Sequence, residues 1–420
     1  VKPAKKQTTT ILTKVDVEDA LQHIDGYWKK LKRKTKKDNS TLIDLPNEYI
    51  VPSPGNDHFS FEEQYYWDSY FTALGIDDEK LVAGMLDNLI YLFEKFGLIP
   101  NANRYYFTSR SQPPILTTFI FHVYDKYHMN ETWLQERIAV AKREYHEVWL
   151  SHQHPHDRSV YKGLSRYYDI NYLHDLAEAE SGWDMTPRFK RQCLDYVPID
   201  LNCLLYKYEA DFARAAEIAE NPGEARIWHY ACDERKKTVS KIMWHKQKNF
   251  FFDFNYHEKK RSDVWSLAAY YAMWAGLASE EQANKLVKNI DKFEKKGGLT
   301  TTAGSFMYTA LFGSTKTQWA YPNGWAPLHY IVIEGLNNYG YTNEAKVIAH
   351  KWLKTCNDWY HYHGEFQEKY NVVNQKLRPS EGVYPSQTGF GWTNGVFVYL
   401  AENYLTLLAH FFSLIDHFYK

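Results

Sequence analysis

Residues 201–224, LNCLLYKYEADFARAAEIAENPGE, decide the fold. Leu201 to Ala219 are apolar around much of the helical circumference. Asn221-Pro222-Gly223-Glu224 then supply a cap, a proline at the first helical position and a glutamate near the third, predicting a second helix to about His245. A mostly apolar helix followed after a few residues by a one-sided one is a hairpin whose first member is buried.

The same unit recurs on both sides. Val17 to Lys34 reads as an amphipathic helix, and Phe61 to Gly75 as an aromatic, buried one. Asp77 is placed to cap a third over Leu81 to Phe96. Pro113 to Tyr127 is mostly apolar, and Asn130 opens an amphipathic helix to about Gln153. Phe250 to Lys259 reads as a short hairpin or extended loop, and Asp263 to Ala278 as a Trp-, Ala- and Tyr-dense helix. Ser279 and Gln282 form a capping-box pattern for a helix to Phe293. Pro322 to Asn338, Thr342 to His361 and Trp392 to Leu414 complete the set.

Buried and half-exposed helices alternate, as six hairpins do when their buried members form an inner ring and the others an outer ring. The expected fold is therefore all-α. Junctions from inner to outer helices are short, at 75–78, 127–131, 219–222 and 278–280. Those from outer to inner are long, so the long loops gather at one end. Loops beyond about 12 residues without regular structure are usually functional or disordered, and these are aromatic and Gly-rich.

Acidic and basic residues nearly cancel, at 51 against 50, which argues against nucleic acid or an anionic membrane as partner and for a small neutral one. With 14 Trp and 34 Tyr the chain is rich in side chains that offer a flat apolar face with a polar tip, suited to carbohydrate. The four cysteines have no paired spacing and read as buried free thiols. Residues 1–14 are basic and without an apolar core, a flexible arm ahead of a single domain over 15–420; they form neither a signal sequence nor a membrane span. A start at Val1 leaves a removed leader open, with a cytoplasmic address as the expectation. No P-loop, Rossmann fingerprint, G-x-S-x-G or H-E-x-x-H occurs. His152, His154 and His156 suggest a metal site, but the intervening Pro155 favours a surface turn, and neither metal nor cofactor is expected.

The loop before the third inner helix holds Glu180-Ser181-Gly182-Trp183-Asp184, a carboxylate beside an indole and a glycine in a long irregular stretch. The loop before the sixth holds Glu368. In a ring of six these stand opposite each other, so two carboxylates can face across the mouth, the pairing that glycoside hydrolysis requires.

Six stretches, Glu63 to Tyr70, Ile99 to Asn103 with Ser109 to Pro114, Glu178 to Asp184, Gln318 to Pro327, Glu368 to Asn371 and Gly389 to Gly395, resemble the trehalase family of glycoside hydrolases in the family's order. The resemblance implies an (α/α)6 barrel that cleaves a small α-glucoside, trehalose or a related disaccharide, with inversion. It implies Asp184 as general acid and Glu368 as general base. Phe61, Trp67 and Asp68 match the glucose pocket, and Asn101, Arg110 and Gln112 match hydroxyl contacts. Trp319 and Trp325 match aromatic pocket positions, and Gly182, Trp183 and Trp392 lie in the same motifs.

Departures fall around the second sugar. Ser60 stands where trehalases carry Arg, Ala320 where they carry Asp, and Val383 where they carry Glu, a carboxylate that Glu381 replaces by a two-residue shift. The Arg-Pro-Glu-Ser segment upstream of the acid has no match over 166–175. A different aglycone, another disaccharide or a glycosylated small acid, is one alternative; a sugar-binding protein with impaired catalysis is another. No oligomeric state is assigned from sequence.

Overall fold

The computed structural model describes residues 12–35, 40–55, 60–304, 317–382 and 385–406. Val383, the arm up to residue 11 and the far end of the last expected helix lie outside these.

Thirteen α-helices are formed among the described residues: α1 Glu18–Leu31, α2 Tyr66–Ala73, α3 Glu79–Phe96, α4 Leu116–Tyr127, α5 Glu131–Arg143, α6 His174–Glu180, α7 Ile199–Ile218, α8 Pro222–Met243, α9 Tyr271–Trp274, α10 Glu280–Val287, α11 Ala326–Asn338, α12 Thr342–His363 and α13 Gly391–Tyr404. Among the described residues the strands are all of two or three residues and form no closed sheet.

Helices α2, α4, α7, α9, α11 and α13 form the inner ring. Each of α4, α7, α9, α11 and α13 packs on the next, α13 packs on α2, and the Tyr70 and Phe119 rings join α2 to α4. Burial explains the arrangement: α11 is apolar on nearly every face from Ala326 to Ile333, whereas α8 keeps one buried stripe through Trp228, Cys232, Val239 and Ile242. Glycine lets the ring close. A Cβ on Gly395 would lie 2.3 Å from the Phe71 carbonyl oxygen, so α13 touches the α2 backbone directly. All four cysteines are buried and free.

Caps fall where side chains can reach orphan amides. Asn221 accepts from the Glu224 amide, and Ser279 with Gln282 forms the full capping box. For α3 the cap is Asp78, which accepts from Leu81 N, and not Asp77.

Several expected helices are shorter, each time because loop partners take the backbone groups first. Phe61 to Tyr65 is extended, with Gln64 N donating to the Asn103 side chain and Tyr66 N to the Asn101 carbonyl. Residues 323–325 pair antiparallel with 369–371 instead of joining α11. The segment 263–278 is helical only over 267–274, starting late because Leu267 N donates to the Thr301 carbonyl. The stretch read as irregular before Glu180 contains α6. The helix from Asn130 ends at Arg143 and runs on as a π-helical turn over Glu144–Trp149.

Candidate active site

At one end of the inner ring the loops enclose a cavity of about 240 Å3, near the lower limit of small-molecule pockets, which run from about 300 to 1,000 Å3. Ten residues expected from sequence line it: Phe61, Trp67 and Asp68; Asn101, Arg110 and Gln112; Gly182 and Asp184; Trp319 and Trp392.

Their positions are set by hydrogen bonds between loops. Gln112 Oε1 accepts from Trp67 N (3.0 Å), and Asn101 Nδ2 donates to the Ser111 carbonyl (3.2 Å). Glu180, fully buried, is a structural clasp: it accepts from Ser111 N (2.7 Å), Tyr168 N (2.6 Å) and Arg158 (2.5 and 3.3 Å). This clasp fixes Arg110 and Gln112 beside the loop that carries Asp184. Arg110 also pairs with Asp169 (3.2 Å), and its Nε is buried with no partner among the described residues.

Gly182 has φ +73°, and a Cβ there would meet the Trp67 ring at 2.8 Å. Glycine is required both for the left-handed turn and for laying the acid loop flat on the indole. Gln318 Nε2 then donates to the Asp184 carbonyl (2.7 Å), and Trp319 N to that of Met185 (3.1 Å).

Trp183 and Trp325 do not line the cavity; they stand behind it. Trp183, Trp319 and Trp325 form a continuous stack, with centroids 5.5 and 3.8 Å apart. A cation caps each end: the Arg188 guanidinium 4.3 Å from Trp183, and Lys369 Nζ 5.0 Å from Trp325. Trp183 precedes Asp184 and Lys369 follows Glu368, so this column joins the two carboxylate loops.

Glu368 is fully buried and forms an ion pair with Lys369 (2.6 Å). Trp392 Nε1 donates to its carbonyl (3.1 Å), and its own amide donates to that of Gln387 (2.9 Å). It is absent from the cavity lining, yet its charge is felt by both carboxylates that do line it. Burial pushes Asp184 up to about 7, and the nearby Glu368 charge adds to the rise. Burial pushes Asp68 up to about 8, with Glu368 and Asp184 acting in the same direction. Three carboxylates thus share one low-dielectric site.

Glu381 is exposed and outside the lining, and Ser60 is exposed too. Ala320 is buried and places a methyl group near the Trp319 loop. The guanidinium of Arg166 is spent on the carbonyls of Asp157 and Leu194 and on the Tyr256 hydroxyl. Pro52, Tyr65, Phe107, Ala179 and Phe390 also line the cavity. Tyr65, Ala179 and Phe390 fall inside the quoted motifs, while Pro52 and Phe107 sit in loops with no signal to mark them. Among the described residues no three His, Cys, Asp or Glu side chains are grouped to hold a metal ion, and no helix is long and apolar enough to cross a membrane.

A family model described as Trehalase matches residues 2–175 and 168–405. A probable trehalase of Eremothecium gossypii is 32% identical over 432 residues, covering 86% of this chain and 58% of that protein. The chain thus spans little more than half the length of that curated relative. Neutral trehalase of Saccharomyces cerevisiae superposes with a TM-score of 0.78 at 24% identity, covering 92% of this chain and 94% of that one. A mannosylglycerate hydrolase of Thermus thermophilus superposes at 0.65 and 17% identity, covering 90% and 98%. These likenesses agree with an (α/α)6 barrel.

Proposed function

The chain belongs to the trehalase family, and from that premise we propose that it hydrolyses a small α-glucoside, trehalose or a close relative, with Asp184 as general acid and Glu368 as general base. One observation carries the reading: Asp184 sits in the cavity wall with its pKa raised to about 7, so it holds a proton near neutrality that it can pass to a departing glycosidic oxygen. Glu368, with Lys369 as its counter-charge, is the partner that takes a proton from the attacking water. Attack by water opposite the leaving group inverts the anomeric centre.

Asp68, protonated near neutrality, can donate a hydrogen bond to a sugar hydroxyl, and Arg110, Asn101 and Gln112 supply further donors. The Trp67, Trp319 and Trp392 rings form the apolar wall against which a pyranose face packs. The methyl of Ala320 offers no hydrogen bond to a second sugar, which broadens the acceptable leaving group. The reading includes a cytoplasmic address and no nucleic-acid partner.

Hydrolysis of α,α-trehalose and of other α-glucosides, followed by proton NMR of the first-formed anomer, tests it. Initial release of β-glucose is expected. With trehalose, one β-glucose from the attacked ring and one α-glucose from the leaving ring are expected in equal amounts; release of the α-anomer alone, or no hydrolysis of any α-glucoside, would overturn it.

A further inference from the structure

A second concavity of about 590 Å3 shares no lining residue with the first. It is ringed by Lys162, Lys241, Lys248, Lys259, Lys260 and Arg261. These cations converge from separate pieces of chain. Lys162 lies in the turn between the strands 159–161 and 164–165, and Lys241 in the last turn of α8. Lys248 lies in the turn of the hairpin 244–251, and the remaining three in the hairpin 254–261.

None of the six forms an ion pair among the described residues. The one carboxylate in the lining, Asp263, is already engaged by Lys190 (2.8 Å). Arg261 Nη2 donates to the Lys241 carbonyl (3.2 Å), and burial holds this guanidinium below its ordinary pKa. The chain as a whole carries 50 basic against 51 acidic residues, so the excess is local. A concavity in which one sign of charge predominates focuses potential and attracts counter-ions.

The lining also limits what the counter-ion can be. Five of the six cations are lysines, compact point charges with three rotatable donors, which suit phosphate oxygens more than the planar bidentate pairing that arginines favour. Of the two rings in the lining, Phe254 is buried and His245 is half-buried, its Nδ1 accepting from Lys248 N (3.3 Å) and its ring set edge-on against Phe252, so no broad aromatic face is presented for a base to stack on. The volume falls within the range of small-molecule sites. We infer that this concavity binds a compact ligand carrying several phosphate groups on a non-aromatic frame.

Calorimetric titration of the full chain at about 0.15 M salt with inositol hexakisphosphate, ATP and inorganic phosphate tests the inference. One equivalent of the hexakisphosphate is expected to bind, more tightly than ATP. The Lys241→Gln/Lys260→Gln variant is expected to weaken it at least roughly tenfold, because each lysine removes a charge-assisted contact. Both side chains are exposed, and Lys162→Gln/Lys248→Gln serves as a second variant should the first misfold. Absence of saturable binding, equal binding by a correctly folded variant, or tighter binding of ATP would overturn the inference.

Discussion

Two groups of buried carboxylates stand on either side of Trp183, and they are built on opposite principles. Behind the indole, Asp200 and Asp253 grip Arg188 through four hydrogen bonds of 2.6 to 3.1 Å. Ile199 N and the Tyr167 hydroxyl complete their shells. In front of it, Asp68, Asp184 and Glu368 crowd together, and the ion pair among them is that of Glu368 with Lys369. The first group is matched donor for acceptor and lines neither of the two concavities described above, so it serves the fold. The second keeps protons near neutrality because burial and mutual repulsion outweigh the pull of Lys369 and Arg110, and that imbalance makes acid catalysis available.

The largest expected effect of breaking this contrast is on turnover. Asp184→Asn keeps the shape and hydrogen-bonding reach of the side chain but cannot release a proton to the leaving group. It should lower kcat by roughly 100- to 10,000-fold without loss of the folded state. Activity on an α-glucoside together with a thermal melt checks this. Wild-type turnover in the variant would remove Asp184 from its role.

The matched group should respond in the reverse sense. Arg188→Met leaves two buried carboxylates without their cation and should cost about 3–5 kcal/mol of stability, measured by denaturant unfolding. A loss of activity with no change in the unfolding midpoint would mean that Arg188 acts through Trp183 on the acid loop and not through the fold.

One side of this contrast, that of Asp68, Asp184 and Glu368, can be read in the sequence; the clamp on Arg188 cannot. The asparagine and serine caps, the alternation of buried and one-sided helices and the short inner-to-outer junctions place Asp184 and Glu368 before inner helices on opposite sides, because these are local signals. The clasp at Glu180 is invisible at that level. Its partners Ser111, Arg158 and Tyr168 lie far off in sequence, and only the folded loops bring them within reach. The extended run 61–65 and the pairing of 323–325 with 369–371 were missed for the same reason: a helical pattern loses to tertiary hydrogen bonds on those backbone groups. Trp183 and Trp325 illustrate a further limit, since composition does not distinguish a ring that meets sugar from one that supports such a ring.

Proton occupancy supplies a finer test of the unmatched group. Because Asp184 must be protonated to act, kcat/KM should fall as pH rises through about 7, and the pH-rate profile of the free enzyme reports that limb. A profile flat from pH 6 to about 9 would place the essential acid elsewhere.

The last expected effect is on stability, at Asp68. Its folded pKa, about 8, lies above the ordinary value of 3.8 because burial disfavours the charge. The stability this carboxyl contributes is therefore complete below about pH 4 and declines as pH rises toward 8, while the unfolded chain has already released its proton. Asp68→Asn removes that titration. The variant should be more stable than the parent near pH 8, with the difference shrinking toward pH 4, even as sugar binding weakens. Paired unfolding curves at the two pH values check the sign. A variant less stable at both would show that Asp68 is held as tightly as Asp200 and Asp253 are, and that the two sides of Trp183 are not built on opposite principles.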